Sequence, residues 1–83
     1  MKLLYFAWLR SKVGLHEEEV SPPESVSDVA SLIDWLKTRG PNYAEALANS
    51  AVVRVAVNQE YALPTQRLRA GDEVALFPPV TGG

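Results

Sequence analysis

The stretch Gly71-Asp72-Glu73-Val74-Ala75-Leu76-Phe77-Pro78-Pro79-Val80-Thr81-Gly82-Gly83 decides how the rest of the chain is read. Glu73 to Phe77 alternates as a strand does, with Val74 and Leu76 on one face and Glu73, Ala75 and Phe77 on the other. Ala70-Gly71-Asp72 precedes it as a tight turn. Pro78-Pro79 ends any sheet pairing, because neither residue can donate a backbone hydrogen bond. Two prolines also favour an extended polyproline path, and Gly82 and Gly83 carry no side chain. Fully extended, residues 78–83 could reach roughly 20 Å. The pattern predicts a folded body over 1–77 and a thin tail over 78–83 with a carboxylate at its tip. Such a tail can enter a narrow cleft, and an acyl carbon beside glycine is open to attack. The plain alternative is a frayed, inert terminus.

Working outward, Val52 to Val57 reads as a strand with Val53, Val55 and Val57 on one face and Arg54 on the other. Asn58-Gln59-Glu60 follows as a turn, then Tyr61 to Leu63 as a short extended segment ended by Pro64. Lys2 to Leu9 is the expected first strand, apolar on both faces and therefore central. Ser11 to Leu15 is a turn around Gly14. His16 to Val20 is a second strand at an edge, where Glu17, Glu18 and Glu19 form a solvated run that discourages pairing. His16 itself reads as ordinary surface. Ser25 and Asp28 have the spacing of a capping box, and Val26, Val29, Ile33 and Leu36 follow at helical period. Trp35 lies half-buried beside that stripe, Asp34 lies on the wet face, and Gly40-Pro41 stops the helix. Asn42 to Asn49 is a candidate short second helix through Tyr43, Ala46 and Leu47.

This order predicts an α+β fold, a mixed sheet of four to five strands with one main helix packed on one face. The helix covers only one face. The other would carry the set Leu4, Phe6 and Trp8 together with Phe77 and Tyr61, a candidate partner-binding patch or else scattered surface aromatics.

Composition bounds the function. The 83 residues are 47% hydrophobic and 22% charged, enough for one small core. A net charge of −2 leaves no electrostatic footprint for nucleic acid. With no cysteine, disulfides, thiolate metal sites and a catalytic thiol are excluded. No apolar run is long enough for a membrane span, and the short one after Lys2 reads as a strand of a cytoplasmic protein rather than a signal peptide. Phosphate loops, Ser/His/Asp sets and paired metal ligands are missing, so the chain is not expected to be an enzyme by itself.

Three segments carry a resemblance: FAWLR (Phe6–Arg10) with Gly14, VAVNQ (Val55–Gln59), and the closing GDEV-x-x-FPPV-x-GG. Together, over essentially the whole chain, they resemble the small, sulfur-carrying subunit family of molybdopterin synthase, which has a ubiquitin-like β-grasp fold. The resemblance implies that Gly83 is adenylated by a ubiquitin-activating-like adenylyltransferase at the expense of ATP and converted to a thiocarboxylate. The tail, Val80, Thr81, Gly82 and Gly83, would enter the large subunit of a heterotetramer, where two such sulfurs turn precursor Z into molybdopterin. Phe6, Arg10, Tyr61, Phe77, Pro78 and Pro79 map to partner-facing positions, although the family often has an aliphatic residue where Tyr61 stands. No bound cofactor, metal, nucleic acid or membrane is implied. A related carrier for thiamine thiazole or tRNA thiolation, a protein modifier, and an interaction domain with an inert tail stay open.

The tail's shape yields a first prediction. Gly82→Val should leave the fold intact, yet slow adenylation of Gly83 by at least about tenfold, because the added side chain obstructs a narrow cleft. ATP-dependent pyrophosphate release measures this, and a wild-type rate would contradict it.

Overall fold

The computed structural model describes residues 1–79, so Val80, Thr81, Gly82 and Gly83 lie outside the described residues. Strands β1 (Lys2–Tyr5), β2 (Glu17–Glu19), β3 (Arg54–Val57), β4 (Glu60–Tyr61) and β5 (Glu73–Phe77) form one sheet in the order β2-β1-β5-β3-β4. β1 runs parallel to β5, and the other pairings are antiparallel. Helices α1 (Ala7–Val13), α2 (Val29–Lys37) and α3 (Pro41–Ala46) lie in the connections. Strand alternation puts Leu3, Tyr5, Val55, Val57, Val74 and Leu76 on one face, where all are buried. Against them pack Leu9 and Val13 of α1, Val29, Leu32 and Leu36 of α2, and Tyr43 and Ala46 of α3. This is the expected β-grasp, a mixed five-stranded sheet with its helices on one side.

Several local expectations are corrected. The first strand ends at Tyr5 rather than Leu9, and Phe6-Ala7-Trp8-Leu9 turns into α1, which also absorbs the turn expected over Ser11 to Leu15. Phe6 is the extended N-cap, and Ala7 takes φ 55°, an unusual left-handed value for a residue with a side chain. Leu9 and Val13, four apart, are the buried stripe of this helix. Gly14 closes it at φ 92°, its N–H donating to the Arg10 carbonyl at 2.9 Å. There are thus three α-helices among the described residues, not one main helix and a short second.

The α2 cap is Asp28, not Ser25. Asp28 accepts from the Ser31 N–H at 2.8 Å, and Ser31 Oγ accepts from the Asp28 N–H at 3.1 Å, a reciprocal box with serine in the usual glutamate position. Neighbouring bonds enforce this start. Leu68 N–H donates to the Ser27 carbonyl and Val29 N–H to the Gln66 carbonyl, holding Asp28 extended beside the 66–68 loop just before the helix begins. The helix ends at Lys37, where the Thr38 hydroxyl donates to the Trp35 carbonyl at 2.6 Å. Gly40-Pro41 accordingly starts α3 instead of stopping α2, with Pro41 in the first turn where its missing N–H costs nothing. β3 begins at Arg54, and Ser50–Val52 forms a 3-10 turn before it.

The acidic run is the largest surprise. Register pairs Glu18 with Leu3, so it points to the helix side while Glu17 and Glu19 point outward. Its carboxylate accepts from Tyr5 Oη at 2.7 Å, Tyr43 Oη at 2.8 Å and Arg39 Nη1 at 2.7 Å. The Arg39 guanidinium stacks 5.3 Å from the Trp35 ring centroid and 5.0 Å from that of Tyr43. Glu18 is therefore only 12% exposed, a polar clamp joining β1, β2, α3 and the α2–α3 connection rather than a solvated edge. Burial pushes its carboxyl up, but hydrogen bonds from Arg39, Tyr5 and Tyr43 outweigh that and hold it below the ordinary glutamate range. Burial and the same carboxylate push the Tyr5 hydroxyl far above the usual tyrosine range.

Glu18→Gln should lower stability by roughly 2 kcal/mol at neutral pH, because it uncouples Arg39 from its buried partner. The folded carboxyl titrates below its unfolded value of 4.5. Its contribution is thus complete above that pH and is lost as pH falls through the folded value. Urea unfolding of both proteins should show a gap at neutral pH that closes in acid.

Candidate functional site

Glu73, Ala75 and Phe77 of β5 face away from the helices, and register adds Lys2 and Leu4 from β1 and Arg54, Ala56 and Tyr61 from β3 and β4. No helix among the described residues covers this face. Its floor is shallow, made by half-buried Leu4, Ala56 and Ala75. The small Ala56 side chain lets Tyr61 reach across β3, bringing its ring 5.8 Å from that of Phe77 at 55°. Tyr61 is nevertheless 79% exposed, the extreme value among the large apolar side chains described.

Phe6 stands at the same end of the sheet. Its N–H donates to the Leu76 carbonyl at 3.1 Å, which ties the start of α1 to the last turn of chain before the prolines. The ring is 48% exposed. Arg10 follows one helical turn later and is exposed, with no ion pair among the described residues. Pro78 and Pro79 leave β5 half-buried. Phe77 and Tyr61 thus meet on this face, and the Phe6 backbone is tied to the same end of β5, where the strand runs into Pro78. Trp8 does not join by strand parity, since it belongs to α1. Arg54 does join. Alternation puts it outward, but its place directly opposite Phe77 depends on the β3–β5 register.

Nothing else among the described residues competes as a reactive centre. No group of three or more His, Cys, Asp or Glu could hold a metal ion. His16 is exposed beside Glu17 at 3.6 Å. A cavity of about 580 Å³ around Arg10, Ser11, Leu15 and His16 is an open surface trough. No helix among the described residues is long and apolar enough to cross a membrane. What the face offers is exposed aromatic area beside the point where the chain leaves the sheet at Pro78.

Comparisons with known proteins bear on that segment and on the whole chain. The model of the ThiS family matches residues 3–83. The molybdopterin synthase sulfur carrier subunit of Escherichia coli (strain K12) is 37% identical over 83 residues, with 100% of this chain and 99% of that protein covered. Its Homo sapiens counterpart is 35% identical over 86 residues, with 100% and 93% covered. Among solved structures, SAMP1 from Haloferax volcanii superposes with a TM-score of 0.79 at 30% identity, covering 100% of this chain and 98% of that one.

Stability measurements separate the two faces. Tyr61→Asp should cost less than about 1 kcal/mol, since the side chain is already in water, whereas Val55→Asp should cost at least ~3 kcal/mol by placing a charge in the core. Phe77→Asp, half-buried, should fall between them in thermal unfolding.

Proposed function

This chain belongs to the ThiS family, and from that premise we propose that it is the sulfur carrier of molybdenum cofactor biosynthesis, the non-catalytic small subunit of molybdopterin synthase. The observation that carries the reading is the position of Pro78. It directly follows the central strand of the sheet, beside an exposed aromatic face, so docking of the body (1–77) delivers the tail (78–83) to one place. The curated relatives cited above carry this function in their names over their nearly full length.

The chemistry then follows from a carboxylate. A carboxylate is a poor electrophile, so a ubiquitin-activating-like adenylyltransferase joins the Gly83 carboxylate oxygen to the α-phosphorus of ATP and releases pyrophosphate. A sulfide-level sulfur nucleophile attacks the acyl carbon, the acyl–oxygen bond to AMP breaks and AMP leaves, giving a thiocarboxylate. Inside the large subunit that sulfur attacks a carbon of precursor Z, the C–O bond at that carbon breaks and its oxygen leaves, and water then hydrolyses the resulting acyl–sulfur bond, which leaves sulfur on the product and restores the carboxylate. Two such transfers complete molybdopterin. No thiol side chain is needed, which suits a chain without cysteine. Phe6, Tyr61, Phe77 and Arg10 hold the large subunit, Pro78 and Pro79 stiffen the exit, and Val80 to Gly83 are inserted. The cycle runs in the cytoplasm, where ATP is available, and this chain binds no cofactor of its own.

One observation favours a second reading. The likeness to SAMP1 at 30% identity, a protein also described as a small archaeal modifier protein, fits attachment of Gly83 to lysines of other proteins. A single reconstitution with the activating enzyme, ATP and a sulfur donor distinguishes the two. Sulfur carriage predicts an oxygen-to-sulfur mass change and a thiol-alkylation label confined to the C-terminal peptide, both lost without ATP or in a chain lacking Gly83. Label-free conjugates to lysine would favour the modifier, and neither product would leave an interaction domain.

A further inference from the structure

The exposed sheet face is electrically polarised along β5. Of its charges, Lys2 pairs with Glu17 at 3.2 Å and Glu19 with the N-terminal amine at 3.0 Å. Arg54 and Glu73 stand in no ion pair among the described residues. They occupy opposite ends of the face. Arg54 is opposite Phe77, at the root of the tail, and Glu73 begins the strand, roughly 13 Å away at 3.3 Å per residue. One Arg54 N–H donates to the Ala51 carbonyl at 3.2 Å, which props the guanidinium at the surface. The remaining donors have no acceptor among the described residues, so an unpaired positive charge stands beside the aromatic pair.

We propose that Arg54 is the orientation determinant of docking on the large subunit, pairing with a carboxylate at the rim of the cleft that takes the tail. The proposal rests on the carrier reading and adds the chemistry of the partner's surface. Tyr61, Phe77 and Phe6 supply apolar contact, which is nearly indifferent to rotation about the face. A tail, however, reaches its cleft only in one orientation. A partner carboxylate opposite Arg54 attracts in that orientation; when the body is turned end for end it meets Glu73, whose register neighbour Lys2 is already neutralised by Glu17. The separation exceeds the Debye length of about 8 Å at physiological salt, so each end is read separately. Attraction at the tail end and repulsion at the far end together select the productive pose.

The test is titration of the full-length chain against the cognate large subunit at low and high sodium chloride. Arg54→Glu should weaken binding at least about tenfold at low salt, and the gap should narrow at high salt, because a rim charge acts through a screened field. Arg54→Lys should stay within about threefold of wild type, and Arg67→Glu, an exposed arginine away from this face, should change little. Unchanged circular dichroism and melting would show that the variants fold. Equal binding of wild type and Arg54→Glu at low salt would overturn the proposal while leaving the carrier reading intact. A wild-type chain that does not bind the large subunit would overturn both. Equal losses for Arg54→Glu and Arg67→Glu would mark a nonspecific charge effect and overturn this proposal alone.

Discussion

Parallel pairing of the first strand with the last is the constraint on which everything else depends. Lys2 to Tyr5 lies beside Glu73 to Phe77 over four register pairs. Parallel neighbours cannot be joined by a tight turn, so the intervening chain must cross from one end of the sheet to the other. Crossing places the helices on one face and leaves the other bare. It also puts β5 in the middle, with β1 on one side and β3 on the other. The bare face and the centrality of the strand that feeds the tail are thus two results of one pairing.

The sheet's first edge is managed differently from an ordinary solvated strand. β2 is only three residues long and all of them are glutamates, which disfavours pairing with another chain. One of the three is turned inward and satisfied by two phenols and a guanidinium, so the same short run both guards the edge and locks α3 and Arg39 against it. No buried side-chain polar atom among the described residues lacks a partner. A clamp of this kind specifies the edge strand's register as well as its position, since a one-residue slip would replace Glu18 with an outward neighbour.

Much of this was legible in the residues. Alternation in Val53-Arg54-Val55-Ala56-Val57 and in Glu73 to Phe77 assigns faces directly, and those assignments hold. The Phe6–Leu9 segment is where the reading failed, because four apolar residues in a row carry neither a period of 2 nor one of 3.6. Ala7 gives no warning that it occupies the left-handed region, as a glycine would. The choice between Ser25 and Asp28 as cap was made by the 66–68 loop, forty residues away in sequence, and inward Glu18 by pairing with Leu3. Each miss is a case in which tertiary pairing overrode a locally reasonable pattern. On the bare sheet face the same division holds: which residues point outward follows from parity, whereas the meeting of Tyr61 with Phe77 and the placing of Arg54 beside them require the strand order.

The central position of β5 also has a mechanical consequence. Whatever grips the residues beyond Pro79 pulls on a strand hydrogen-bonded on both sides, to β1 and to β3. Force along that axis loads the two ladders in shear, so many bonds resist together instead of opening one by one as they would in peeling. A tail hung from an edge strand such as β4, two residues long, could be stripped off its own domain. Here the residues beyond Pro79 hang from a strand paired on both sides, so a pull on them is shared by two ladders and does not peel the sheet from its edge.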